Sequence, residues 1–146
     1  MSAERSPGAP FAGFPPGARA TPVPNILFSH LLPQIEDADE LRLTVYVIYA
    51  LARRRGYPRF VSARELAAEA PLVSALGGGG PATTARLGRA LAAAVGRHSL
   101  LALNIEQPAG NEVLYFLNTA ASRRAAALIE KGRLDLGRTL PAARRT

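Results

Sequence analysis

The stretch Val61-Ser62-Ala63-Arg64-Glu65-Leu66-Ala67-Ala68-Glu69-Ala70-Pro71, with the downstream run Thr83-Thr84-Ala85-Arg86-Leu87-Gly88-Arg89-Ala90-Leu91-Ala92-Ala93-Ala94-Val95-Gly96-Arg97, decides the fold. Ser62 and Glu65 have the spacing of a capping box, in which each side chain satisfies an orphan amide of the first turn. A short helix is therefore expected from Ala63 to Ala70, where Pro71 discourages continuation. The second run reads as a helix from Thr83 to Arg97, with Thr83 or Thr84 as its N-cap. Ser99 to Glu106 and Val113 to Asn118 follow as two strands around a turn built on Pro108, Gly110 and Asn111. Helix, loop, helix and tight hairpin in this order predict a mostly α chain with a small antiparallel β hairpin, the winged helix-turn-helix. Modules of this kind usually bind DNA, and some bind only protein.

Working outward, residues 25–132 form the expected domain. Asn25 caps a short helix through Leu32, and Pro33 interrupts it. A longer helix spans about Glu36 to Arg55, acidic at its start (Glu36, Asp37, Asp39, Glu40) and basic at its end (Arg53, Arg54, Arg55), as suits the helix dipole. Gly56 and Pro58 stop it. This helix is apolar on more than one side. Leu41, Val45, Ile48 and Ala52 form one stripe, and Leu43, Val47 and Ala50 lie roughly opposite. One stripe belongs to the core. The other needs cover from the Leu27–Leu32 segment, from a second copy of the chain, or from both. Leu27, Phe28, Leu31, Leu43 and Val47 are the candidate self-association residues.

Leu72 to Pro81 reads as a loop with four consecutive glycines at 77–80. A phosphate-binding loop would continue into Gly-Lys-Ser or Gly-Lys-Thr, but Pro81 and Ala82 follow, so the glycines read as flexible spacer. A last helix runs from Thr119 or Ser122 to Lys131. Residues 1–24, with six prolines and no apolar periodicity, read as a disordered lead-in. Residues 133–146 read as a disordered basic tail.

Charge points to nucleic acid only in part. The 146 residues carry a formal net charge of +7, but residues 26–118 hold nine arginines against eight acids, and most of the excess lies in residues 119–146. DNA binding by the module therefore depends on where its arginines point. On the Thr83–Arg97 helix, Leu87, Leu91, Ala94 and Val95 share the core side, while Arg86, Arg89, Ala90, Ala93 and Arg97 fall opposite. Arginines separated by small side chains suit a groove. The candidate DNA contacts are Thr83, Thr84, Arg86, Arg89 and Arg97, with Arg53, Arg54, Arg55 and Arg59 as phosphate contacts. Glu106 and Glu112 flank the wing turn, which argues against a wing that probes the minor groove.

Cysteine is absent, which excludes disulfide scaffolds and thiolate chemistry. The only histidines, His30 and His98, have no recognisable nucleophile partner. His98 reads as the residue that closes the helix. No catalytic residues, metal ligands or cofactor loop are expected. The most apolar run, Leu43 to Ala52, is too short to span a bilayer, and the N-terminus does not read as a secretory signal, so the expectation is a cytoplasmic protein without a membrane association.

Val23-Pro-Asn-Ile-Leu-Phe-Ser-His-Leu-Leu-Pro-Gln-Ile-Glu-Asp, continuing through Glu40-Leu-Arg-Leu-Thr-Val-Tyr-Val to Arg54-Arg-Gly-Tyr-Pro-Arg-Phe-Val, resembles the N-terminal domain of bacterial DnaD-like primosome proteins. Arg64-Glu-Leu-Ala and Tyr115-Phe-Leu-Asn-Thr are similar to the same group, and the likeness covers about residues 22 to 132. It implies a winged helix that self-associates through its N-terminal elements and helps load the replicative helicase beside replication-initiation proteins. The family's second helical domain has no counterpart in these residues. The leading reading is a non-enzymatic, self-associating DNA-binding protein of replication initiation. The alternatives are an adaptor that contacts only protein and a transcriptional regulator.

Overall fold

Asp37 begins the central helix by accepting the Glu40 backbone N–H at 3.1 Å, so α1 runs Ala38–Ala52. Arg53 is its C-cap, which leaves Arg54 and Arg55 outside the helix. The computed structural model describes residues 9–131 and the backbone of Ala142–Arg145. After α1 come β1 (Val61–Ser62), α2 (Ala63–Ala67), α3 (Ala70–Ala75), α4 (Gly80–Gly96), β2 (Leu100–Glu106), β3 (Glu112–Leu117) and α5 (Ala120–Glu130). The chain is mostly helical with a small antiparallel sheet, an arrangement compatible with a winged helix-turn-helix. No helix among the described residues is long and apolar enough to cross a membrane.

With β4 at Ala142–Arg145, the strand order is β1-β3-β2-β4, antiparallel throughout. The hairpin pairs Leu100 with Leu117 and Ile105 with Glu112, closing through Gln107–Asn111. Two-residue periodicity gives the sheet two apolar faces. Leu100, Tyr115 and Leu117 turn toward the helices, where Leu43, Val47, Leu66, Leu72, Leu87 and Leu91 form the main core. Leu103, Ile105, Leu114 and Phe116 turn the other way, against Ile129 of α5. The edge strand β1, not anticipated from sequence, fixes the hairpin against α2 by pairing Val61 with Tyr115. On the opposite edge, Ala142–Arg145 forms β4 alongside β2, within a segment expected to be a disordered tail. The rest of that tail, and residues 1–8 of the lead-in, lie outside the described residues.

The capping box at Ser62 and Glu65 forms as expected, with both hydrogen bonds at 3.0 Å. The region after it differs from the reading. Pro71 does not end a helix; it occupies the first turn of α3, where its missing N–H costs nothing. Only residues 76–79 then connect α3 to α4, and α4 begins at Gly80 rather than Thr83. Gly77, Gly78, Gly79 and Gly80 all have positive φ, so the glycines make a tight turn rather than a spacer. Gly77 is also crowded: a Cβ there would meet the Arg86 guanidinium at 3.0 Å and the Thr83 hydroxyl at 3.1 Å.

The α1 stripes resolve unequally. Leu43, Val47, Ala50 and Leu51 are core. Thr44 and Ile48 are buried and line one cavity with a short π-helical turn, Leu27–Leu31, whose Leu27 is buried. That turn starts at Ile26 without a side-chain cap, so Asn25 does not play the role expected of it. Leu27, Leu43 and Val47 are therefore filled by their own chain, which corrects their reading as self-association residues. Leu31 is half-buried and Phe28 stays 56% exposed. Val45 and Tyr49, on the outer side of α1, are exposed as well.

Two glycine substitutions should act in opposite directions. Gly77→Ala is expected to destabilise the fold by about 1 kcal/mol or more, because of its positive φ and its crowding. Gly88→Ala, in the exposed interior of α4 with open space around it, should stabilise by roughly 0.5–1 kcal/mol. Urea unfolding midpoints measure both.

Candidate nucleic-acid interface

Residues 86, 90, 93 and 97 repeat at i, i+4, i+7 and i+11, so they form one stripe along α4. That stripe faces α1. Arg86 donates from Nε and Nη2 to the two carboxylate oxygens of Asp39, at 2.8 Å each. Arg97 donates from Nε and Nη2 to Glu40, at 2.6 and 3.1 Å. Ala90, only 1% exposed, lies between them and lets the first turn of α1 come close. The physics expected of a groove-binding face is present, with arginines around small side chains. Its acidic counterpart, however, is the N-terminal turn of α1 in the same chain.

These pairs are unlike loose surface bridges. The Glu40 side chain is 2% exposed, and each guanidinium engages its carboxylate through two hydrogen bonds. Hydrogen bonding to Arg86 holds the Asp39 carboxyl below its ordinary range, against a smaller opposing effect of burial. The same contacts push the Arg86 and Arg97 guanidinium groups further up. Arg42 adds a third tie by donating to the Ala75 carbonyl at the end of α3, at 3.1 Å.

The other candidate DNA contacts divide. Thr83 is buried: its hydroxyl donates to the Leu76 carbonyl and accepts the Gly79 amide, both at 2.9 Å, so it locks the glycine turn instead of facing a ligand. Arg54 is bound to Glu65, the capping-box carboxylate, and is half-buried. For Glu65 burial is the largest influence and raises its carboxyl. The Ser62 amide and Arg54 together outweigh it and hold the group below its ordinary value. Arg53 stacks 5.1 Å from the Tyr49 ring centre. Arg55, Arg59, Arg89 and Thr84 are exposed. Arg89 is the one arginine on the outer surface of α4, beside Thr84, Ala85, Gly88, Ala92 and Gly96.

The exposed arginines do not all belong to one surface. Residues 53–60 precede β1, and Gly56, Tyr57 and Arg59 share a cavity wall with Leu117. This places Arg55 and Arg59 at the end of the hairpin away from the Gln107–Asn111 turn. A duplex contacted by the wing turn is therefore remote from this cluster.

No catalytic group was expected, and the described residues contain no cluster of three or more histidine, cysteine or acidic side chains suited to a metal ion. His98 closes α4 as read from the sequence. It holds the left-handed position, φ +68°, while its N–H and that of Ser99 bond the Val95 and Ala94 carbonyls at 3.0 Å, a Schellman motif. Sequence reasoning missed the roles of Asp39 and Glu40, which it assigned to the helix dipole alone. The available signal was the three-turn separation of Arg86 and Arg97 on one stripe. Comparison with known proteins finds no matching protein family, curated protein or solved structure.

Arg97→Ala leaves a buried carboxylate without its cation and should lower the melting temperature by about 10 °C or more. Replacing both partners, as in Glu40→Leu with Arg97→Met, should recover much of that loss in the same thermal scan. Asp39 and Glu65 have depressed folded-state values. Their contribution to stability is complete above the unfolded carboxylate range near pH ~4 and is lost as pH falls through the lower folded values. Urea midpoints from about pH 5 to pH 2 should fall accordingly, and Arg86→Ala or Arg54→Ala should flatten that decline.

Proposed function

We propose that this chain is a non-enzymatic winged-helix module that acts as an assembly adaptor, binding protein rather than DNA. The carrying observation is the pairing of Arg86 and Arg97 with Asp39 and Glu40, which engages two of the three arginines of α4 and its C-cap within the chain. The near-balanced charge of residues 26–118 and the acids flanking the wing turn agree with this reading. So do the exposed apolar side chains Ile26, Phe28 and Leu32 on the N-terminal turn, and Val45 and Tyr49 on α1. The resemblance to DnaD-like proteins supports replication initiation as the setting, in the cytoplasm, with self-association and replication-initiation proteins as the contacts. Self-association then runs through Phe28 and its exposed neighbours, because Leu27, Leu43 and Val47 are already core.

DNA binding is the second reading, favoured by the exposed Arg89 among small residues on α4. A transcriptional regulator is a special case of it that requires a discrete operator. Sedimentation of the protein with and without a DNA duplex at low salt, where phosphate contacts are strongest, separates the readings. The adaptor reading expects concentration-dependent self-association that Phe28→Asp weakens while the circular dichroism spectrum is kept, and no co-sedimentation with duplex. Duplex binding that Arg89→Glu abolishes would transfer the assignment to DNA.

A further inference from the structure

We propose that the cavity under the N-terminal π-helical turn is a binding site for a small amphiphile with an apolar body and an anionic head, such as a carboxylate. This goes beyond the assembly role and does not depend on it. The cavity measures about 300 Å³, at the lower end of the range for small-molecule pockets. Its apolar wall is Leu27 and Leu31 of the turn, Ile48 of α1 and Leu117 of β3. A second cavity of about 410 Å³ lies next to it, with Pro24, Ile48 and Leu117 lining both.

Three independent observations point to a ligand with a polar, negative end. Both histidines of the chain, His30 and His98, line this cavity although they are distant in sequence. His30 Nδ1 is engaged by the Ser29 hydroxyl at 3.0 Å, which leaves Nε2 for a ligand. Second, His98 occupies the left-handed position that closes α4, where glycine is the commoner residue, and it stands at the cavity wall. Third, Thr44 and Ser99 line the same cavity, are 0% and 5% exposed, and have hydroxyls without hydrogen-bond partners. Unmet buried hydroxyls are uncommon, and both of these lie behind the wall of one cavity. Thr119, the N-cap of α5, also lines the cavity and brings the positive end of an eleven-residue helix to it. Imidazoles and a helix N-terminus together favour an anion over a cation or a purely apolar guest.

Decanoate, kept below its micellar concentration, is the probe, and the ring-proton NMR signals of the two histidines are the readout. Saturable movement of both signals is the expected result. His98→Gly preserves the left-handed turn, so this variant should fold and melt at or above the parent temperature. Its decanoate affinity should fall about tenfold, the equivalent of one charge-assisted hydrogen bond. The proposal is overturned by histidine signals that do not move, or by undiminished decanoate affinity in a folded His98→Gly protein. Equal binding of decan-1-ol would overturn the anionic head.

Discussion

A carboxylate with almost no access to water must keep a cation beside it, and Glu40 meets that requirement only through Arg97. The adjacent Asp39 is engaged by Arg86, so two neighbouring acids at the start of α1 are held from points three turns apart on α4. α4 can neither slide along α1 nor roll against it without breaking at least one bidentate contact. The leucines of the main core are placed by that crossing, and the glycine turn delivers α4 to it. The side of α4 that carries Arg86 is thereby committed to internal architecture, while its outer side keeps Arg89.

The two-faced sheet explains why so short a chain supports a wing and a further helix. Leu100, Tyr115 and Leu117 serve the helical core, while Leu103, Ile105, Leu114 and Phe116 build a smaller one under α5. Each hairpin strand is therefore apolar on both sides, and its sequence reads as nearly continuous hydrophobic residues. The surface left over is uneven. The outer side of α4 is small and carries one arginine, whereas the N-terminal turn and the outer side of α1 present large apolar groups.

Local rules made much of the fold legible in the sequence. The Ser62–Glu65 box, the Asp-rich start of α1, the hairpin turn and the Thr119 cap act within a few residues, and each forms where the spacing placed it. The misreadings share one cause: a residue whose local role is ambiguous had it fixed by distant partners. Pro71 suits the end of one helix or the first turn of another. Periodicity puts Arg86, Ala90 and Arg97 opposite Leu87 and Leu91, but a helix that also packs against α1 keeps only a narrow outward side, around Arg89. Which partner covered Arg86 depended on Asp39, 47 positions earlier, and composition carries no record of that pairing. The same limit applied to Leu43 and Val47, where an apolar stripe fits a partner subunit as well as the chain's own sheet.

The bend before α4 has a corollary for how this sequence drifts over time. Four identical small residues resemble the low-complexity filler that mutation usually reshapes freely. Here each occupies backbone territory that a mirror-image amino acid would favour, so nearly every missense change at these codons introduces torsional conflict. Purifying selection on stability alone should therefore conserve this monotonous segment more strictly than many of the varied positions on the surrounding surface.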